Sequence, residues 1–207
     1  MLTEKGFDLW ADGYDVSVGL SDEADTYPFA GYKKVLNAIF QSVMENEKPT
    51  VLDLGFGTGT LTSKLYENGC DVYGQDFSKR MIELAEEKMP GAHLVYGDLN
   101  EGLHSPLDEM RYDFIIATYS LHHLSDERKV SFIRDLYDHL NEHGKLLIGD
   151  VAFETRSQLE ECAAAAGNEW DEEEIYFVYE ELKEHFPALC FEKLSHCAGV
   201  LSLEKDH

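Results

Sequence analysis

The run Asp53-Leu54-Gly55-Phe56-Gly57-Thr58-Gly59 carries the residue types of a nucleotide-binding loop. It follows an apolar stretch that reads as a strand and opens a segment with helical spacing, the context such a loop requires. Glycine suits it because the backbone must turn sharply and let a ligand approach without a Cβ in the way. The spacing is G-x-G-x-G rather than the G-x-G-x-x-G of dinucleotide binders, whose wider loop brings a helix amino terminus to a pyrophosphate. A loop of this kind is expected to cradle a ligand without phosphate, with Asp53 available to a cationic amino group. Asp76 ends the next strand, where a carboxylate can accept hydrogen bonds from both ribose hydroxyls of a nucleoside. Asp98 follows the third strand, where an adenine amine can be met, and Leu99 and Met81 can flank the ring. Ligands of open α/β sheets bind at the carboxyl ends of strands, and Gly55, Asp76 and Asp98 all fall at such ends. Glycines and acids that merely make turns would explain any one of these positions, but explain all three in order less well.

The elements that must position these groups follow from periodicity. Val35, Leu36, Ile39, Phe40 and Val43 recur at helical spacing over residues 30–46. The pattern then changes to short apolar runs at residues 50–54, 71–76, 93–96, 112–118 and 144–150, read as strands, with helical segments at residues 58–68, 78–90 and after Ser125. Ser78 and Ser125 are candidate helix caps, and Gly69 closes the helix before it. Strand alternating with helix signifies a parallel, doubly wound sheet with right-handed crossovers. Residues 157–185 read as an acidic helical stretch, with Ile175, Val178, Tyr179 and Leu182 as its apolar stripe. The runs at residues 189–196 and 200–205 are joined by a link too short for a parallel crossover, so they form an antiparallel pair.

The stretch from Val51 to Gly59, together with Trp10-Ala11-Asp12-Gly13-Tyr14-Asp15, Phe29-Ala30-Gly31-Tyr32, Tyr96-Gly97-Asp98 and Thr118-Tyr119-Ser120-Leu121-His122-His123-Leu124, resembles the class I S-adenosylmethionine (SAM)-dependent methyltransferases. Within them the chain is similar to small bacterial methyltransferases of unassigned substrate. The resemblance implies a single Rossmann-like α/β domain with a seven-stranded sheet ordered 3-2-1-4-5-7-6, strand 7 antiparallel. Residues 1–29 would be an N-terminal helical lid, residues 30–155 the cofactor-binding core, and residues 156–207 an acidic helical region and closing hairpin. It also implies that Gly55, Asp76 and Asp98 contact SAM and that Tyr14 closes over its methionine end. The candidate cofactor set is Tyr14, Asp53, Gly55, Gly57, Gly59, Asp76, Phe77, Met81, Asp98, Leu99 and Thr118.

A sulfonium methyl is a strong electrophile, so the protein must mainly align an acceptor with it and exclude water. His122 and His123 follow the fourth strand and are the candidate catalytic residues, since imidazole titrates near neutrality. Each could equally cap the next helix or bind backbone. Adjacent positions project differently, so no metal site is expected. Trp10, Tyr14 and Tyr27 either shield the sulfonium or simply pack residues 1–29 onto the domain. The acidic run Asp171-Glu172-Glu173-Glu174 reads as a solvated helix start, and Trp170 and Tyr176 beside it are candidates to help shape a substrate cap.

Composition narrows the partners. Lys and Arg total 17 against 41 Asp and Glu, a net charge of −24, which opposes long-range attraction to polyphosphate. A small-molecule methyl acceptor is expected rather than a nucleic acid. No apolar run reaches the roughly 20 residues that span a bilayer, and the first residues lack a secretion signal, so a cytoplasmic chain is expected. Cys70, Cys162, Cys190 and Cys197 are scattered and read as packing residues. A SAM-binding protein without catalysis is the alternative; a nicotinamide-dependent oxidoreductase is disfavoured by the glycine spacing.

Overall fold

The structure, a computed structural model, describes residues 26–206. Helix α1 (Tyr32–Val43) is followed by β1 (Thr50–Leu54), α2 (Thr60–Glu67), β2 (Asp71–Asp76), α3 (Lys79–Lys88), β3 (His93–Tyr96) and β4 (Tyr112–Thr118). Then come α4 (Asp126–Asp138), β5 (Leu140–Phe153), α5 (Arg156–Ala166), β6 (Phe177–Val178), α6 (Tyr179–His185), β7 (Cys190–Lys193) and β8 (Ala198–Glu204). The strands form one sheet path, β3-β2-β1-β4-β5-β8-β7, with β6 added beside β5. This is the expected order once the closing pair is renumbered. Strands β1 to β5 pair in parallel, and β8 runs antiparallel to both β5 and β7.

Alternation along the central strands sends successive side chains to opposite faces. Val51, Phe114 and Ile116 join Val35 and Ile39 of α1 and Leu61 and Leu65 of α2 on one face. Leu52, Leu54, Ile115 and Ala117 join Phe132, Ile133 and Leu136 of α4 on the other. Burial on both faces explains why the strands read as apolar runs rather than alternating ones. Helix α1 lies close against β5: a Cβ at Gly149 would sit 2.4 Å from Val35 Cγ1. Ser78 caps α3 by accepting from the Met81 amide, and Ser125 caps α4 by accepting from the Arg128 amide.

The acidic carboxyl-terminal segment departs from expectation. It is not one helix over residues 157–185. Helix α5 stops at Gly167, which has φ 56°, and Phe177 and Val178 form a strand paired with Ala152 and Phe153. The cause lies in β5. Its pairing with β4 ends at Thr118 and Gly149, so the overhanging end needs another partner for its backbone groups. The run Asp171-Glu172-Glu173-Glu174 is correspondingly a turn, not a helix start: its first three residues are exposed and Glu174 is half-buried.

Residues 1–25, including Trp10 and Tyr14, lie outside the described residues, so the expected lid is addressed only at its end. There Tyr27 is buried, stacks on Trp170 at 5.0 Å, hydrogen-bonds the Tyr176 hydroxyl, and accepts from the Asp171 amide at 3.1 Å. Tyr27 thus packs with the segment before β6 as part of the core. The four cysteines form no disulfide; Cys190 is exposed on β7 rather than a packing residue.

Candidate functional site

The glycine loop between β1 and α2 has the backbone its sequence requires. Gly55, Gly57 and Gly59 have φ of 71°, 56° and 75°, a left-handed region that other residues rarely enter. Gly55 also permits a close crossing, because a Cβ there would lie 2.4 Å from Ser120 Cβ at the end of β4. Ser120 in turn donates its hydroxyl to the Leu54 carbonyl at 2.7 Å, tying the two strand ends together. Asp76 fixes the loop from the neighbouring strand. One carboxylate oxygen accepts from the Gly57 amide at 2.9 Å and the other from the Ser78 amide at 2.8 Å.

These strand ends enclose a cavity of about 370 Å³. Asp53, Gly55, Gly57, Asp76, Phe77, Met81, Asp98, Leu99, Thr118 and His123 line it, so the fold brings together most of the positions singled out in the sequence. Gly59 does not line it; it is the residue that starts α2. Tyr14 is outside the described residues. Asp98 is exposed at the rim, where its carboxylate accepts from the Asn100 amide at 2.8 Å, whereas Leu99 and Met81 are buried. Sequence reasoning missed Tyr32 and Leu36, which line the cavity from α1, and Tyr119, whose ring packs 5.2 Å from that of Tyr32. The spacing of Tyr32 and Leu36, one helical turn apart, was the available signal.

Asp53 lines the cavity and is 1% exposed. One of its oxygens accepts from the Thr62 hydroxyl at 2.5 Å; the other is buried with no hydrogen-bond partner. Burial pushes its pKa up to about 7, against the Thr62 hydrogen bond and helped by the nearby Asp76 charge. A buried acceptor without a donor is costly, and a cationic ligand group is the chemistry that would satisfy it.

The two histidines occupy a short 3-10 turn, Leu121–His123, and take different places. His123 lines the cavity; His122 lies behind it, 7% exposed. Nδ1 of His122 lies 2.7 Å from an Asp150 oxygen and Nε2 lies 3.5 Å from Glu174 Oε1. Burial disfavours a charged His122 ring, but Asp150 and then Glu174 outweigh it and hold the pKa above its ordinary value. Burial and the neighbouring His122 push that of His123 down to about 4, leaving it neutral at neutral pH. The expectation that adjacent histidines diverge is corrected here. The Ile175 amide donates to the His122 carbonyl at 2.8 Å, which brings Glu174 alongside, and the two rings meet with centroids 4.3 Å apart. Beneath them Lys129 is 2% exposed, its ammonium bonded to the Ile175 carbonyl and 3.1 Å from Asp126.

A glycine loop, an acid ending β2 and an open cavity at the carboxyl ends of a parallel sheet define a Rossmann-like domain. Comparison with known proteins narrows the class. The family profile described as a methyltransferase domain matches residues 51–144. An uncharacterized methyltransferase of Anoxybacillus flavithermus is 39% identical over 160 residues, covering 77% of this chain and 72% of that protein. One of Alkaliphilus oremlandii is 32% identical over 180 residues, covering 87% and 80%. Among solved structures, the DhpI complex with S-adenosylhomocysteine (SAH) superposes with a TM-score of 0.71 at 17% identity, covering 99% of this chain and 96% of that one. Magnesium protoporphyrin IX methyltransferase from Synechocystis with bound SAH gives 0.67 at 19% identity, covering 86% and 85%. The chain belongs to the methyltransferase family. Among the described residues no helix is long and apolar enough to cross a membrane.

Proposed function

We propose that this protein transfers the methyl group of SAM to a small-molecule acceptor by in-line displacement, with the cofactor in the cavity at the glycine loop. The observation that carries the reading is the convergence of Gly55, Asp76 and Asp98 on one cavity whose floor holds the unpartnered oxygen of Asp53. That oxygen fits the ammonium of the methionine end. Asp76 would accept the ribose hydroxyls, sharing its oxygens with the loop amides. Asp98 would meet the adenine amine at the rim, while Phe77, Met81 and Leu99 supply apolar walls for the ring. When bound, SAM supplies an electrophilic methyl that needs no metal to activate it.

Thr118, at the carboxyl end of β4, would contact the cofactor, and His123, in the turn that follows, would face an acceptor. His123 would hold an acceptor hydroxyl, amine or thiol in line by a hydrogen bond. The net charge of −24 supports a small acceptor over a polyanion.

The test is SAH formation from SAM across a panel of small thiols, amines, hydroxyls and carboxylates, with DNA and RNA included. We expect turnover with a small acceptor and a fall of roughly 100-fold in kcat/KM for His123→Ala, the scale of a lost positioning or proton-accepting group. SAH binding without turnover on any acceptor would reduce the protein to a SAM-binding one; turnover on nucleic acid alone would overturn the acceptor class.

A further inference from the structure

His122, His123 and Glu174 stand behind the acceptor side of the cavity, and the geometry points to a divalent metal site built from these three side chains. Each offers one ligating atom, and these atoms lie within 4.8 Å of one another. Two imidazoles and a carboxylate form a set that suits zinc and leaves a fourth position open. Ligands about 2.0–2.2 Å from a tetrahedral zinc sit about 3.3–3.6 Å apart; His122 Nε2 and Glu174 Oε1 are 3.5 Å apart.

The surrounding contacts match what such a site requires. A metal-bound imidazole commonly donates its other N–H to a carboxylate, which fixes the ring and the tautomer. His122 does this through Nδ1 to Asp150 Oδ1 at 2.7 Å, and that oxygen is itself held by the Val151 amide at 2.8 Å. Nε2 of the same ring faces the Glu174 carboxylate at 3.5 Å, leaving room for an ion between them. Glu174 is oriented in the same way: its other oxygen accepts from the Tyr176 hydroxyl at 2.6 Å. Tyr176 is fixed by Tyr27 and Trp170. The trio is therefore held on rigid elements, the turn after β4 and the strand approach to β6. His123 belongs both to this cluster and to the cavity wall, so the cluster adjoins the cavity.

The sequence conceals the site because Glu174 sits in an acidic run and the histidines are adjacent. The cluster stands on its own geometry, so its occupancy is measurable whether or not an acceptor is known. The full chain is stripped with EDTA, dialysed, and titrated with zinc chloride by calorimetry, with metal content measured after dialysis. We expect retention of about one zinc per chain, the stoichiometry of a single three-ligand site. Affinity should fall at least roughly 100-fold in His123→Ala and in Glu174→Gln, and roughly 10- to 100-fold in Asp150→Asn, the range for groups that orient a ligand. Circular dichroism of each metal-free variant establishes that it is folded, and Glu174→Gln, which retains the shape of the side chain, serves if His123→Ala does not fold. Zinc bound by the wild type and lost in the folded variants supports the site. No saturable zinc in the wild type, or equal affinity in the variants, would overturn it and leave His122 as an imidazolium bridging Asp150 and Glu174.

Discussion

At pH 8, without ligand, Asp53→Asn is expected to melt at a higher temperature than the wild type while binding SAM at least tenfold more weakly, roughly the loss of one charged hydrogen bond. The reason is the position of Asp53 on the cavity floor, with one oxygen unpartnered and its pKa raised to about 7. The sign follows from proton linkage. An unfolded carboxyl titrates near 3.8, so between that value and about 7 the folded chain holds more protons and loses stability as pH rises. Below the unfolded value the group is neutral in both states and costs nothing. Above about 7 the full cost of a buried charge is present, about 4 kcal/mol at most from a shift of this size. An amide removes that cost and keeps an acceptor for Thr62, although its own buried NH2 makes the net gain smaller. The stability advantage of the variant should therefore vanish near pH 4. Ligand binding supplies the missing counter-charge, so wild-type affinity should rise with pH up to about 7, and that of Asp53→Asn should not. Parallel melts from pH 4 to 8 and titrations from pH 5 to 8 check this. A variant less stable than the wild type at pH 8 would mean that the buried Asp53 carries no such cost, and a wild-type affinity independent of pH would mean that Asp53 does not face the ammonium.

Asp76→Ala is expected to weaken SAH binding by about 1–3 kcal/mol, or roughly 5- to 150-fold, the scale of losing hydrogen bonds to an ionised acceptor. It should also lower stability, because the Gly57 and Ser78 amides lose their shared acceptor. Asp76→Asn separates the two effects. Its carbonyl oxygen can hold one of the amides, so more of the stability should survive, yet its NH2 cannot accept from a ribose hydroxyl. Calorimetry and thermal melts on both variants give the comparison. Affinity unchanged in folded Asp76→Asn would place the ribose elsewhere.

The parts of the fold legible in the sequence are those that local pattern and burial decide together. Strands at residues 71–76, 93–96 and 112–118 lie where their apolar runs lie, and Ser78 and Ser125 cap the helices they precede. The glycine loop was legible because few backbones other than a tight cradle need three left-handed positions so close together. Strand β6 was not: two residues cannot show a period, and Phe177 and Val178 fit a helical stripe with Leu182 as well as they fit a strand. What decides between them is the overhang of β5, a fact about tertiary pairing. The roles within the site were hidden for a similar reason. Which of two adjacent histidines faces the cavity depends on the 3-10 turn that carries them. Glu174 reads as one more solvated acid, and Lys129 as one more charge on an exposed helix face, until the chain before β6 folds over both.

The account rests on SAM occupying the cavity at the carboxyl ends of β1, β2 and β4, and hydrogen exchange of backbone amides with and without SAH tests this most directly. Saturating SAH should slow exchange in the glycine loop at residues 55–59, at residues 76–81 and 97–100, and at residues 118–123, while β7 and β8 exchange as before. Protection confined to other segments, or none at the glycine loop under saturating SAH, would contradict the placement of the cofactor and with it the roles assigned to Asp53, Asp76 and Asp98.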